Sequence, residues 1–202
     1  MEVTAVYVVR TTVAAGHDEA WLRWQDEEHI GNLLALPGYL GVQRFAEVGV
    51  AHRYLNIWRL ADRSAMGTAD YRAASLTPWF ERIRPHYDVE VDFSEEASAD
   101  GPWRDGVRGL VVDRAAEAEV EAGQAALGAA YEQALGGGDH VVQVVRLRRL
   151  ASRAAADRSS PSDVLLTYLR CPPQDAAPLP AGPPVVERRS YSPLTAYLTS
   201  SP

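Results

Sequence analysis

The order of strand-like and helix-like segments in the first half of the chain constrains its fold more than any other feature. β-Branched runs predict strands over 3–11, 39–48, 52–60 and 86–93. Helical periodicity predicts helices over 18–36 and 64–84, and Gly or Pro residues mark the breaks between these elements. The second helical region is interrupted near Pro78. This βαββαβ order is the split βαβ arrangement of a ferredoxin-like unit.

The second half repeats this order incompletely. Strands are predicted over 107–115, 140–150, 162–170 and 185–191. An Ala-rich helix is expected at 117–135, but the place of the second helix falls on the proline-rich stretch 171–184, where no helix is expected.

These patterns predict an α+β fold of two tandem ferredoxin-like units, of which the second is degenerate. The units are expected over 1–94 and 107–199, joined by the acidic, Gly- and Pro-containing linker 95–106. We expect their sheets to pack face to face, so that one chain forms a pseudo-dimer. A homodimer of the whole chain is left open.

Composition excludes several classes of function. The net charge of −7 disfavours a nucleic-acid partner. No segment approaches the roughly 18 apolar residues of a membrane span, and residues 1–12 lack the pattern of a signal peptide, so a cytoplasmic protein without membrane contact is expected. The single cysteine, Cys171, excludes an internal disulfide and a CxxC motif.

The chain contains no lysine, because all 20 of its Lys and Arg residues are arginine. Schiff-base chemistry and a Walker-type phosphate site are therefore excluded. The histidines show no metal-ligand spacing, so neither a metal nor a cofactor is expected.

Strand 52–60 carries a mixed aromatic and polar face. Tyr54, Asn56 and Trp58 share it, whereas Leu55 and Ile57 lie on the opposite face, which we expect under the helices. A few polar groups among aromatic rings are typical of a ligand pocket, and Tyr7 of the first strand is expected to line the same pocket. The alternative is a sheet packed against a partner, with Asn56 hydrogen-bonded at the interface.

His29 is the strongest candidate for proton transfer. It lies in the last part of the first helix beside Glu27 and Glu28. The helix dipole and the carboxylates favour the imidazolium, which predicts a pKa near neutrality. The alternative is a packing histidine that supports the turn at 37–38.

Four other residues are weaker candidates. Arg44 is a candidate for holding an enolate or carboxylate, with an exposed arginine as the alternative. Tyr71 and Trp79 are candidate lid residues. His86, at the start of a strand, is a candidate for the cavity mouth, with a surface histidine as the alternative.

The first half also resembles a known group of proteins. The matching positions are Trp24, Glu28, His29, Leu33, Leu34, Pro37, Gly38, Arg44 and Phe45. They resemble the W…EH…LL…PG signature and the following R-aromatic pair of the dimeric α+β barrel superfamily, in particular its EthD-like and polyketide cyclase-like small proteins. The resemblance implies two ferredoxin-like units that close around a central cavity.

The resemblance implies a cofactor-free enzyme of polyketide or aromatic metabolism that cyclises, isomerises or dehydrates a hydrophobic carbonyl compound. His29, Arg44 and Asn56 are its expected catalytic residues, and the remaining candidates are expected to bind substrate. The alternatives are a cofactor-free monooxygenase and a non-catalytic protein that binds such a metabolite. A haem enzyme with His29 or His86 as axial ligand is a further alternative.

Overall fold

Nine antiparallel strands and one layer of helices form the α+β fold of the computed structural model over the residues that it describes. The structure describes residues 5–99, 107–116, 141–149, 162–170, 185–194 and 198–199. The strands are β1 Ala5–Val13, β2 Tyr39–Glu47, β3 Arg53–Leu60, β4 Tyr87–Ala99, β5 Gly109–Ala116, β6 Val141–Arg149, β7 Ser162–Leu169, β8 Val185–Pro193 and β9 Leu198–Thr199.

The described helices all lie in the first half of the chain. They are α1 Asp18–Trp24, a π-helical turn Gln25–His29, α2 Ile30–Leu34, a 3₁₀ turn Arg63–Gly67, α3 Ala69–Ser75, α4 Pro78–Ile83 and a 3₁₀ turn Arg84–His86. None of the helices in these described ranges is long and apolar enough to cross a membrane.

The two halves of the sheet have the same strand order. The first four strands run β4-β1-β3-β2, and the next four run β8-β5-β7-β6 when read in the matching direction. Hydrogen bonds between β4 and β6 and between β2 and β8 join the halves at both edges. Because β2 also pairs with β3, the pairings return to their start and the sheet is barrel-like.

This architecture confirms the predicted α+β barrel and corrects one detail of its assembly. The halves are joined edge to edge through strand pairing, whereas the sequence predicted packing face to face alone. β4 extends to Ala99 and pairs with β6 along its last residues, so strand structure enters the segment expected to be a linker. The predicted helix 117–135, the stretch 171–184 and residues 100–106 lie outside the described residues.

The barrel interior is an apolar core shared by both halves. Leu55 and Ile57 of β3 pack there with Leu110, Leu166 and other buried residues of the second half. The faces of β3 are therefore the reverse of those predicted, and Tyr54, Asn56 and Trp58 face the helices. Burying an aliphatic side chain of this size contributes about 1.5–3 kcal/mol, so both halves supply the energy that holds the sheet closed.

The helices begin and end where their sequence signals indicate. The hydroxyls of Thr68 and Thr77 cap α3 and α4 by accepting hydrogen bonds from the backbone N–H groups three residues later. Pro78 occupies the first position of α4, which explains the predicted interruption. Gly38, four residues after the end of α2 at Leu34, has φ of +90°, and a Cβ there would lie 3.0 Å from that of Ala65, so a side chain at this position would be strained.

Candidate functional site

A cavity of about 250 Å³ lies between the helices and the outer face of the first-half sheet. Its walls are largely aromatic, with a few polar residues among them. The aromatic residues include Tyr7, Trp21, Trp24, Trp58, Phe80 and Tyr87. Every lining residue precedes residue 90. The cavity is thus on the helical side of the sheet, and the centre of the barrel, where the sequence predicted it, is filled by the shared core.

The π-helical turn places His29 in this cavity. The backbone N–H of Ile30 bonds to the carbonyl of Gln25, five residues earlier, which widens the helix at this turn. The imidazole packs against Trp24 with ring centroids 4.4 Å apart and meets Trp58 edge-on at 6.4 Å. His29 is half-buried, and its Nδ1 is buried without a hydrogen-bond partner among the described residues.

The environment of His29 corrects its predicted charge. Burial, with a further contribution from the positive charge of Arg44, lowers the pKa of His29 to about 4. The residue lies five positions before the end of the helical run at Leu34, so the helix terminus does not dominate its environment. The imidazole is therefore neutral at pH 7, which suits it to accept a proton rather than to donate one.

Arg44 lies beside the site rather than in it. Its side chain is almost fully buried on β2, where it forms an ion pair with the more exposed Asp26 of the π-helical turn. The predicted alternative of an exposed arginine is thereby wrong. Arg44 is absent from the cavity wall, so a direct contact with an enolate is not seen; it acts on the cavity through its charge near His29.

Asn56 is fixed in the cavity wall by a neighbouring amide. Its Nδ2 donates to Oε1 of Gln25 at 3.0 Å. The interaction leaves Oδ1 of Asn56 buried without a partner among the described residues. Asn56 therefore offers an acceptor to whatever occupies the cavity.

Four residues of the wall carry buried polar atoms that lack partners within the described chain. They are Trp21 Nε1, His29 Nδ1, Asn56 Oδ1 and Ser75 Oγ. Buried polar groups in native proteins are nearly always hydrogen-bonded, and exceptions call for a ligand, a water or a function. Four such atoms on the wall of one aromatic cavity make it a candidate binding and active site.

The structure separates the remaining predicted residues into two groups. Tyr7, Trp58 and Tyr71 line the cavity as expected. Three others, Tyr54, Trp79 and His86, are not part of its wall.

Each of these three residues has another environment. The hydroxyl of Tyr54 donates to Asp18 at 2.7 Å, and its ring stacks on Trp21. Trp79 packs at the edge of the cluster around Trp21. His86 stacks on His17 with centroids 3.8 Å apart.

Sequence reasoning missed several residues of the wall. Gln25 and Ser75 gave no signal, because isolated polar residues on helices are ordinarily solvated. Tyr87 lies in the predicted fourth strand, one residue after the histidine that received attention. Trp24 was noted only as a position of the family resemblance, although the π-helical turn brings it next to His29, five residues later.

The site residues do not fit a metal or a haem. Within the described ranges, no group of three or more His, Cys, Asp or Glu side chains is arranged to hold a metal ion. The ring of His29 is packed against Trp24, and the cavity lies below the roughly 300–1,000 Å³ of ordinary ligand pockets. A tetrapyrrole therefore has no room beside it.

Comparison with known proteins gives structural matches only. No family model matches the sequence, and no curated protein matches it significantly. An anthrone oxidase-like protein matches all of this chain and 95% of its own, with 13% identity and a TM-score of 0.61.

Two bacterial proteins give similar matches. A "putative monooxygenase" from Lactobacillus acidophilus NCFM covers 98% of this chain and 97% of its own, with 10% identity and a TM-score of 0.62. A second "putative monooxygenase", from Fusobacterium nucleatum, covers 100% of this chain and 98% of its own, with 9% identity and a TM-score of 0.60. At these identities the matches establish the dimeric α+β barrel fold alone. The EthD-like assignment stays a prediction.

Proposed function

We propose that this protein is a cofactor-free oxygenase that removes a proton from an activated carbon of an aromatic carbonyl compound and lets the carbanion react with O₂. The four buried, unpartnered polar atoms on the wall of one aromatic cavity carry this proposal. The names of the structural neighbours, an anthrone oxidase-like protein and two monooxygenases, support the choice of oxygen chemistry. The proposal needs no metal, haem or flavin.

His29 is the proposed base. Its imidazole is neutral at pH 7 because burial holds its pKa at about 4, so it is ready to accept a proton. The same burial makes the isolated imidazolium unfavourable. A carbanion formed next to it supplies the opposite charge, which offsets this cost in a cavity of low polarity. Base and substrate anion therefore stabilise one another.

Trp24, Trp58 and Asn56 have positioning roles in this scheme. The imidazole packs against the indole of Trp24 and meets that of Trp58 edge-on, and this aromatic surface favours a fused-ring substrate. The free Oδ1 of Asn56 accepts a hydrogen bond from a phenol or enol hydroxyl of that substrate. Orientation by such contacts reduces the entropy cost of proton transfer.

The overall reaction balances without a reductant. An activated CH₂ group and O₂ give a C=O group and water, and the two C–H bonds supply the electrons that reduce oxygen. His29 takes the first proton, the carbanion passes electrons to O₂ and forms a C–O bond, and loss of water completes the ketone. An anthrone-type methylene flanked by two aromatic rings has the required acidity and shape.

Cyclisation, isomerisation or dehydration is the second candidate. The phenol of Tyr87 lines the same cavity, and burial raises the pKa of Tyr87 to about 12, so it remains a proton donor at neutral pH. A base and a neutral donor in one cavity can move a proton without consuming oxygen. A third candidate, sequestration of the metabolite, requires binding only.

Oxygen uptake distinguishes these candidates. Purified protein is mixed with anthrone in an oxygen electrode, and the product is identified by mass spectrometry. The proposal predicts stoichiometric O₂ uptake that His29→Gln reduces strongly and the matched control His86→Gln, outside the cavity wall, does not. Rearrangement of a substrate under nitrogen supports the second candidate. Tight binding without turnover supports sequestration.

A further inference from the structure

The charges at the cavity mouth bear on the substrate. Four lining residues are exposed and define the mouth: Arg72, Leu76, Arg84 and Val89. Two of these four carry positive charge, and the wall contains no Asp or Glu. A cationic entrance is notable in a chain with a net charge of −7.

Both guanidinium groups have donors to offer. Arg84 donates one Nη1 hydrogen bond to the carbonyl of Tyr87 at 2.8 Å, and its guanidinium carbon lies 5.3 Å from the centre of that ring. These contacts hold Arg84 at the mouth and leave most of its five N–H donors unused. Neither Arg72 nor Arg84 forms an ion pair with any residue that the structure describes.

The mouth combines these charges with apolar surface. Leu76 and Val89 are 57% and 42% exposed and add aliphatic surface to the mouth. They flank the arginines and continue the apolar wall outwards. A ligand that fits has an aromatic body inside the cavity and an anionic group at its entrance.

We infer that the substrate of this site is an aromatic compound bearing a carboxylate, which Arg72 and Arg84 hold at the mouth while its rings lie between the tryptophans. This inference rests on the proposed function and adds its substrate class. Arginine is suited to the role because its planar donors match carboxylate oxygens in pairs. The carboxylate fixes which end of the substrate enters first, and therefore which carbon reaches His29.

A pair of matched probes tests this inference without turnover. Naphthalene-2-carboxylate and its neutral carboxamide have the same ring system and nearly the same shape, and their binding is followed by quenching of tryptophan fluorescence. We expect the carboxylate to bind about tenfold more tightly, the order of magnitude for charge-assisted hydrogen bonds at a partly exposed site. Raising the salt concentration should weaken the binding of the carboxylate and leave the binding of the carboxamide unchanged.

Variants assign the preference to the mouth. Arg72→Gln combined with Arg84→Gln should abolish the preference, and Arg72→Gln alone should reduce it. Arg82→Gln is the matched control, because Arg82 is exposed on α4 but does not line the cavity. It removes the same charge and should leave the preference intact.

The outcomes separate this inference from the proposed function. Equal binding of the two probes by the unmodified protein, binding of neither, or equal effects of Arg72→Gln and Arg82→Gln would overturn the carboxylate assignment. Oxygen uptake with anthrone, which has no carboxylate, is measured independently. Oxygen uptake can therefore be observed when the carboxylate preference is absent, and the carboxylate preference can be observed when oxygen uptake is absent.

Discussion

The imidazole of His29 and the indole of Trp24 lie with ring centroids 4.4 Å apart, although the residues are five positions apart on one helical run. In a regular α-helix, residues at this spacing differ by about 140° in direction and cannot stack. The π-helical turn Gln25–His29 brings them together. Such turns occur frequently at functional sites. The site therefore depends on a local irregularity of the backbone.

Deleting Glu27 tests this dependence. Glu27 is exposed and bonds only to Arg23 on the helix surface among the described residues. Its removal should restore a regular helix in which His29 lies four positions after Trp24, about 40° around the same face, so that the 4.4 Å stacking and the placement of His29 in the cavity are altered. We expect a folded protein by circular dichroism with at least tenfold less oxygen uptake. Glu27→Ala, which removes only an exposed ion pair of little energetic weight, is the control and should retain full activity.

The pKa of His29 predicts a pH-dependent stability. The folded-state pKa is about 4 and the ordinary value is 6.5. As the pH falls from about 6.5 to about 4, the unfolded chain therefore binds a proton that the folded protein does not, and the free energy of unfolding decreases. Above this window the contribution is fully present.

Urea unfolding at pH 7 and pH 5 measures this contribution. The unmodified protein should lose more stability between the two pH values than His29→Gln, which does not titrate. An identical loss in both proteins would show that other groups cause the pH dependence. His17→Gln controls for the removal of any one histidine.

Arg44 should lower the pKa of His29 further than burial alone does. Its positive charge opposes protonation of the imidazole, so Arg44→Met should raise the pKa of His29. Asp26→Asn keeps the guanidinium and should not raise it. NMR titration of the His29 ring measures both. An unchanged pKa in Arg44→Met would contradict the electrostatic role.

Two adjacent residues of β3 should respond in opposite ways to substitution. Ile57 is fully buried in the barrel interior, so Ile57→Ala should cost about 2–5 kcal/mol of unfolding free energy. Asn56→Ala should cost only about 1 kcal/mol, because it removes one hydrogen bond. The main effect of Asn56→Ala should be a loss of oxygen uptake, with only this small change in the free energy of unfolding. Chemical denaturation and oxygen uptake of both variants distinguish the two faces.

The first-half elements could be predicted because their signals are local. Alternation in β3, the Pro37-Gly38 end of the first helical run and the break at Pro78 each act over a few residues. Alternation defines two faces of a strand but does not say which one meets the helices. That choice depends on the second half, whose Leu110 and Leu166 cover Leu55 and Ile57.

The candidate site was predicted in part for the same reason. Residue type, strand face and the family resemblance singled out residues that line the cavity: Tyr7, His29, Asn56, Trp58 and Tyr71. The low pKa of His29 was not predicted from the sequence, because the side chains that desolvate its imidazole include residues distant in sequence. Tyr54 was assigned to the pocket from its strand face alone, and its bond to Asp18 depends on how the helix crosses the sheet.

Exchange of a substrate proton tests the central claim, proton abstraction by His29, most directly. Anthrone is incubated with the protein in D₂O under nitrogen, and loss of the methylene signal is followed by proton NMR, so that oxygen chemistry plays no part. The unmodified protein should accelerate exchange over buffer, and folded His29→Gln should reduce that acceleration by about 10²–10⁴-fold, as for loss of a general base. Acceleration by His29→Gln equal to that of the unmodified protein would contradict the account.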